Sequence, residues 1–247
     1  MKKIVGVIPS RWGSTRFPGK SLACIAGKPM IQWVVERVKQ AKNLSEVVVA
    51  TDDSRIAECV NQLHISGVHV AMTRSDHPSG TDRIAEAIEG IDAEAIINIQ
   101  GDEPLIDPAL IDQLATTISG GNWDMVTAAT PIEDPEEISD PSVVKVVFNR
   151  HGQALYFSRS TIPHIREPEA TSVAKVYWRH IGIYAYRREY LLKLVAQPPC
   201  ALEELEKLEQ LRALDLGCRM NVIQTADFGI GVDTPDDLKK AEALLRA

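Results

Sequence analysis

The chain has 247 residues, 45% hydrophobic and 25% charged, with a formal net charge of −7. That length and balance suit a globular protein that buries its own core, and the negative charge argues against an extended nucleic-acid surface. The apolar run behind Met1 stops at Pro9, too short for a signal peptide or membrane insertion, and the four scattered cysteines form no CxxC pair, so a zinc site or disulfide framework is not expected and a reducing, cytoplasmic setting is.

The predicted elements alternate. "KKIVGVI" (2–8) reads as a buried strand ended by Pro9. Residues 30–42 place Met30, Ile31, Val34, Val35 and Val38 on one helical face. "EVVVATDD" (46–53) is a second buried strand that runs into two acids, followed by a helix to Leu63. A third strand covers 68–72, a helix 81–90, and a fourth strand 94–104, which again ends in acids. Asp107 and Pro108 cap and open a helix to about Ser119. The middle is richer in β pattern: strands at 143–149 and 154–158 across a Gly-containing turn, a loop over 159–178, and a strand over 179–187. A helical run over 202–217 stops at Gly217, a strand follows at 220–225, and Thr234-Pro235 opens a last helix to 245. The whole reads as one α/β domain over 1–247, a mostly parallel sheet flanked by helices, with a β-rich insertion near 140–190.

In such a sheet, ligands bind outside the carboxyl ends of the strands. The first such end leads into "IPSRWGSTRFPGKSL" (8–22), where Arg11, Arg16 and Lys20 lie among Gly13, Pro18 and Gly19. The first 35 residues hold six bases and no acid, a basic island in an acidic chain. Three cations on a glycine-containing loop suit a triphosphate. The spacing is neither GxxxxGK[ST] nor GxGxxG, which counts against a P-loop NTPase and a nicotinamide dehydrogenase. Asp102 and Glu103 follow the fourth strand, and Asp233 precedes the last helix. Hard carboxylate ligands at the edge that carries a phosphate loop suggest Mg²⁺. "SGTDR" (79–83) could contact a base or ribose, or be only a capped helix start. Of the six histidines, His180 is the one expected near a substrate; His64, His69, His77 and His151 read as surface or loop residues.

These motifs, with "ATDD", "NIQGDEPLI", "ALYFSRSTIP", "RHIGIYAYRREYL", "LEKLEQLRAL" and "VDTPDDL", occur in one order along residues 2–245. Together they resemble the 3-deoxy-D-manno-octulosonate (Kdo) cytidylyltransferase family. The resemblance implies a nucleotidyltransferase-type, Rossmann-like fold, CTP and Kdo as substrates, CMP-Kdo and pyrophosphate as products, a cytoplasmic role in lipopolysaccharide synthesis, and a homodimer. It implies two Mg²⁺ ions, one on Asp102 and Asp233 and one on the triphosphate. Carried over by position, Ser10, Arg11, Arg16, Lys20, Arg74, Ser79 and Gly80 resemble the nucleotide-binding set, with Arg11, Lys20, Asp102 and Asp233 as the catalytic group. Gln100, Arg159, His180, Tyr186, Glu209 and Gln210 resemble the sugar-binding set. The first motif departs from the usual family pattern at Ser10 and Ser21, where Ala and Pro are common. The alternatives are a cytidylyltransferase for another acidic sugar (modified Kdo or sialic acid), a sugar-1-phosphate enzyme, or a non-catalytic nucleotide-binding protein.

Overall fold

The computed structural model of the protein describes residues 3–13, 17–167, 176–226, 229 and 231–246. In chain order its elements are β1 (Ile4–Pro9), a small hairpin of β2 (Cys24–Ile25) and β3 (Lys28–Pro29), α1 (Met30–Val38), β4 (Glu46–Thr51), α2 (Ser54–Asn61), β5 (Val68–Met72), α3 (Gly80–Ala87), β6 (Ala95–Asn98), α4 (Pro108–Gly120), β7 (Met125–Pro131), α5 (Pro135–Ser139), β8 (Lys145–Phe148), β9 (Ala154–Ser158), β10 (Trp178–Arg187), α6 (Arg188–Val195), α7 (Ala201–Glu206), α8 (Gln210–Asp215), β11 (Met220–Gln224) and α9 (Pro235–Leu245).

The main sheet has the order β11-β7-β10-β6-β1-β4-β5. β1 lies parallel to β4 and β6, β4 to β5, and β7 to β11. β10 alone on this path runs antiparallel to its neighbours β6 and β7. Side chains alternate between the two faces, as the pleat requires. Ile4 and Ile8 of β1, Val47 and Val49 of β4, and Ile97 of β6 pack with α1, α2 and α4. Val5, Val7, Val48, Ala50 and Ile96 pack on the other face with α3, α6 and α8. This is the expected mostly parallel sheet between helices. A third cluster of Ile25, Met30, Val232 and Ala241 ties α9 and the segment before it to the β2–β3 hairpin.

The helix starts follow the cap chemistry read from the sequence. Asp107 accepts a hydrogen bond from Ala109 N with Pro108 in the first turn, and Thr234 and Asp237 form a reciprocal capping box around Pro235. Three differences from the sequence reading stand out. β7 carries no strong sequence signal, yet lies between β10 and β11. The helical run over 202–217 is two helices, broken where Lys207 adopts φ 53°. The β-rich region near 140–190 divides: β8 and β9 form a hairpin beside the sheet, while β10 enters its middle.

β10 carries a register shift between Ile181 and Tyr184. Thr127 of β7 stabilises this bulge, its hydroxyl donating to Ile183 O at 2.9 Å. The bulge frees Gly182 O to accept from Gln100 Nε2 at 3.3 Å, so an irregularity in the sheet reaches the functional edge. At the opposite end of β10, Arg187 closes the C-terminus of α4. Its guanidinium donates to Gly121 O (2.7 Å), Trp123 O (3.0 Å) and Ile118 O (3.3 Å), and pairs with Glu94. Arg187→Met removes a charged donor from three carbonyls. It is expected to cost about 1.5–3 kcal/mol, read as a lowered urea midpoint, with nucleotide affinity unchanged because the residue lies at the far end of the sheet.

Candidate active site

β1 and β6 lie side by side, and the segments that leave their carboxyl ends form one cleft of about 290 Å³. Ser10, Arg11, Lys20 and Ser21 line one wall. Gln100, Gly101 and Asp102 line a second, with Asp233 beside them. His77, Ser79, Gly80 and Arg83, before and within the first turns of α3, complete the lining.

At the centre, Lys20 Nζ joins the two acids. It forms ion pairs with Asp102 and, at 3.0 Å, with Asp233, and donates to Val232 O at 3.3 Å. The acids are brought together by main chain, because Val232 N donates to Asp102 O at 2.8 Å. Burial alone would lower the pKa of Lys20, but Asp102 and then Asp233 outweigh it and hold it above its ordinary value. Lys20 therefore stays a cation at neutral pH and is no general base. Among the described residues, no group of three His, Cys, Asp or Glu side chains gathers at metal-binding distance. A metal here would rest on two carboxylates and complete its shell with phosphate oxygens and water, which is how Mg²⁺ is commonly held.

The loop that carries Lys20 is anchored by a buried relay. Trp12 N donates to Asp52 Oδ1 at 3.1 Å, and Arg83 donates to Asp52 Oδ2 at 3.0 Å. Arg83 is 2% exposed and also donates to Thr73. The Trp12 ring lies under the Arg55 guanidinium, 3.3 Å from its centroid. Gly19, at φ 70°, lets this ring close on the backbone: a Cβ there would lie 2.7 Å from Trp12 Cη2. Gly101 is required for a similar reason, since a Cβ would lie 2.8 Å from Pro9 O.

Of the nucleotide set expected from the sequence, Ser10, Arg11, Lys20, Ser79 and Gly80 line the cleft. Ser79 also caps α3, accepting from Asp82 N. Arg74 lies outside the lining, 68% exposed and paired with Asp76 and Glu86. Arg16 lies outside the described residues. Of the sugar set, Gln100 lines the cleft. Its Nε2 donates to Asn98 Oδ1 and Gly182 O, and among the described residues no donor meets its carbonyl oxygen. Tyr186 and Glu209 stand behind it. Tyr186 interacts with Thr81 and Asn98, and burial followed by the Glu209 charge raises its hydroxyl pKa well above the ordinary value. Glu209 accepts from Thr81, next to Gly80 of the cleft. Gln210 is buried at the start of α8. Arg159 lies at the end of β9, outside the cleft lining, with its guanidinium on Glu206 O (2.7 Å) and Pro141 O (3.0 Å).

His77, expected at the surface or in a loop, lies in the irregular segment before α3 and also lines the cleft; its side chain is 4% exposed and bonds Glu86. His180 packs edge-on to Phe157 and against Tyr184 behind the cleft. Its Nε2 lies 3.0 Å from Thr127 Oγ1, whose proton serves a backbone carbonyl, so the neutral imidazole donates to the hydroxyl. The sequence reading does not single out Asp52, although "ATDD" marks its neighbourhood, and it takes Thr81 and Arg83 only as members of "SGTDR".

Comparison with known proteins gives one consistent answer. A family model described as cytidylyltransferase matches residues 5–220. The chain is 50% identical to 3-deoxy-manno-octulosonate cytidylyltransferase from Geobacter sulfurreducens, covering 96% of this chain and 97% of the relative. It is 51% identical to the enzyme of the same name from Syntrophotalea carbinolica, with 98% of each chain covered. The solved structure of a CMP:2-keto-3-deoxy-manno-octonic acid synthetase complexed with CTP superposes with a TM-score of 0.92, at 43% identity and over 99% of both chains. A 4-diphosphocytidyl-2C-methyl-D-erythritol synthase from Anaerococcus prevotii, 14% identical over 100% of this chain and 99% of its own with a TM-score of 0.67, shares the fold. The chain belongs to the 3-deoxy-manno-octulosonate cytidylyltransferase family.

Burial holds the pKa of His180 down to about 3, against an ordinary value of 6.5. Between those limits the unfolded chain binds the extra proton, so stability falls as pH drops below about 6.5, by up to about 1.4 kcal/mol per pH unit. Denaturation midpoints measured from pH 7 to pH 5 are expected to fall, and His180→Gln to flatten that slope.

Proposed function

We propose that this chain transfers the cytidylyl group of CTP to the anomeric 2-hydroxyl of Kdo, giving CMP-Kdo and pyrophosphate for lipopolysaccharide synthesis in the cytoplasm. The relatives' names supply the two substrates. The observation that carries the chemistry is the meeting of Lys20, Asp102 and Asp233 in one cleft.

The donor set suits Mg²⁺. Two carboxylates face one seat, and Lys20 already holds a positive charge there. Asp102 and Asp233 would hold one ion, and a second would travel on the triphosphate. A divalent ion supplies Lewis-acid charge that makes a hydroxyl more acidic and screens the attacked phosphate. The protein's own groups do the rest. Arg11 and Lys20 counter the charge of the triphosphate and of departing pyrophosphate, with Arg16 added by the resemblance. The triphosphate offers Lys20 a competing anion, so the lysine can exchange its carboxylate partners for phosphate oxygens as substrate enters. Ser79, Gly80 and Ser10 border the nucleotide, with Arg74 at the cleft's margin. Gln100 presents its carbonyl oxygen to a sugar hydroxyl, backed by Tyr186 and Glu209, with His180 and Gln210 packed behind. Arg159 has only neutral carbonyls on its guanidinium among the described contacts, which leaves its charge for the sugar carboxylate. Most of the rate enhancement in such a transfer comes from positioning and charge neutralisation.

The fold reads as one nucleotidyltransferase domain whose β8–β9 hairpin pairs with a second copy. Support comes from exposed Leu155 on β9 and Leu205 on α7, two elements linked by the Ser158–Glu206 hydrogen bond. No helix among the described residues is long and apolar enough to cross a membrane.

Asp102→Asn keeps the shape of the side chain and removes its charge. It is expected to leave the melting temperature near wild type and lower kcat with CTP and Kdo by about 10²–10³-fold, on the scale of losing one transition-state-stabilising group. Pyrophosphate release measures this, and near-normal turnover would exclude a metal role for Asp102.

A further inference from the structure

Two serines close the basic loop at its ends. Ser10 follows β1, where its backbone N–H donates to Ala50 O at 2.8 Å. Ser21 follows Lys20 within the 3-10 turn Lys20–Leu22. Eleven residues apart, they meet: Ser10 Oγ and Ser21 Oγ share a hydrogen bond at 2.8 Å. Each is 3% exposed, and both border the cleft beside Lys20.

A hydroxyl carries one proton and two acceptor lone pairs. Their mutual bond uses one of the pair's two protons, and among the described residues no other protein group bonds either hydroxyl. The cleft is the open side of the pair, so the second proton can serve a ligand there. The charges beside the pair, Lys20 and Arg11, select an anion. We propose that Ser10 gives its proton to Ser21, that Ser21 Oγ–H is a ligand-contacting donor to a triphosphate oxygen of the nucleotide, and that Ser10 is the positioning residue that holds the Ser21 hydroxyl in the donating rotamer. The inference rests on CTP being the nucleotide of this cleft.

Isothermal titration of full-length wild type, Ser21→Ala, Ser10→Ala and the double variant with CTP tests it, alongside cytidine as a competitor that lacks phosphate. Ser21→Ala is expected to weaken CTP about tenfold or more, as loss of a hydrogen bond to a charged group does. Ser10→Ala is expected to weaken CTP by only about threefold, on the scale of one neutral hydrogen bond. The double variant is expected to match Ser21→Ala, because Ser10 acts only through Ser21. Cytidine affinity is expected to stay constant for Ser21→Ala. A Ser10→Ala loss that equals or exceeds that of Ser21→Ala overturns the assignment, as do additive losses or equal losses for cytidine. Lowered melting temperatures with unchanged CTP affinity make the pair a structural clasp only and also overturn it. If wild type binds CTP but releases no pyrophosphate with Kdo, the proposed activity fails while the CTP affinities still decide the Ser21 role. If wild type does not bind CTP, both fail.

Discussion

The contact on which the site depends is the ammonium of Lys20 between Asp102 and Asp233. Two carboxylates that share one seat repel each other, and at short range the repulsion is large unless a cation intervenes. The three residues belong to segments more than 80 positions apart, so the contact can form only once β1, β6 and the segment before α9 are all in place. The Val232–Asp102 main-chain bond and the Ile25–Val232–Ala241 cluster supply that placement. In this way the apolar packing of a terminal helix governs the charge balance of a cleft at the sheet edge.

The sheet itself is legible where strands are short apolar runs closed by a residue that cannot continue them. β1 ends at proline, β4 runs into two aspartates, and α4 and α9 open with an acceptor followed by proline. β7 gave no such sign. "MVTAATP" is neither strictly alternating nor strongly apolar, and its strand character comes from its neighbours β10 and β11. Tertiary context also splits the 202–217 run. "LEELEKLEQLRALDLG" has the propensity of one helix, but Leu208 is buried and Glu206 turns to bond Ser158 and Arg159. The left-handed turn at Lys207 reconciles the two, at a local cost of about 1–2 kcal/mol.

The candidate site divides along similar lines. Residues near strand ends were legible where a second signal joined them, because a parallel sheet directs its carboxyl ends to one edge. Arg11 and Lys20 share a basic loop there, and Asp233, a weak sign alone as a helix-start acid, gained weight as the pair of Asp102. Asp52 and Arg83 had no such second signal. Each has an innocent local reading, one as a strand-end acid and the other as a helix residue, and they pair across 31 positions. His77 was hidden by sitting in an irregular segment with no periodicity to orient it.

The cleft also has two walls of different character. The loop wall is cationic, with Arg11 and Lys20, and is anchored through Arg83 and Asp52. The second wall sets Asp102 beside the neutral amide of Gln100. Behind it a hydrogen-bond run leads from Gly182 O through Gln100 to Asn98, then to Tyr186 and Thr81, and ends on the Glu209 carboxylate. A polyanion needs charge, whereas a polyhydroxylated ring is discriminated by hydrogen bonds whose loss leaves buried groups unpaired. The β10 bulge makes this possible. Without its register shift, the carbonyl of Gly182 would have no reason to turn from its neighbour strand to the Gln100 amide. A defect in the sheet thus orients the Gln100 amide proposed to meet the sugar, while regular strand ends hold the loop proposed to meet the nucleotide.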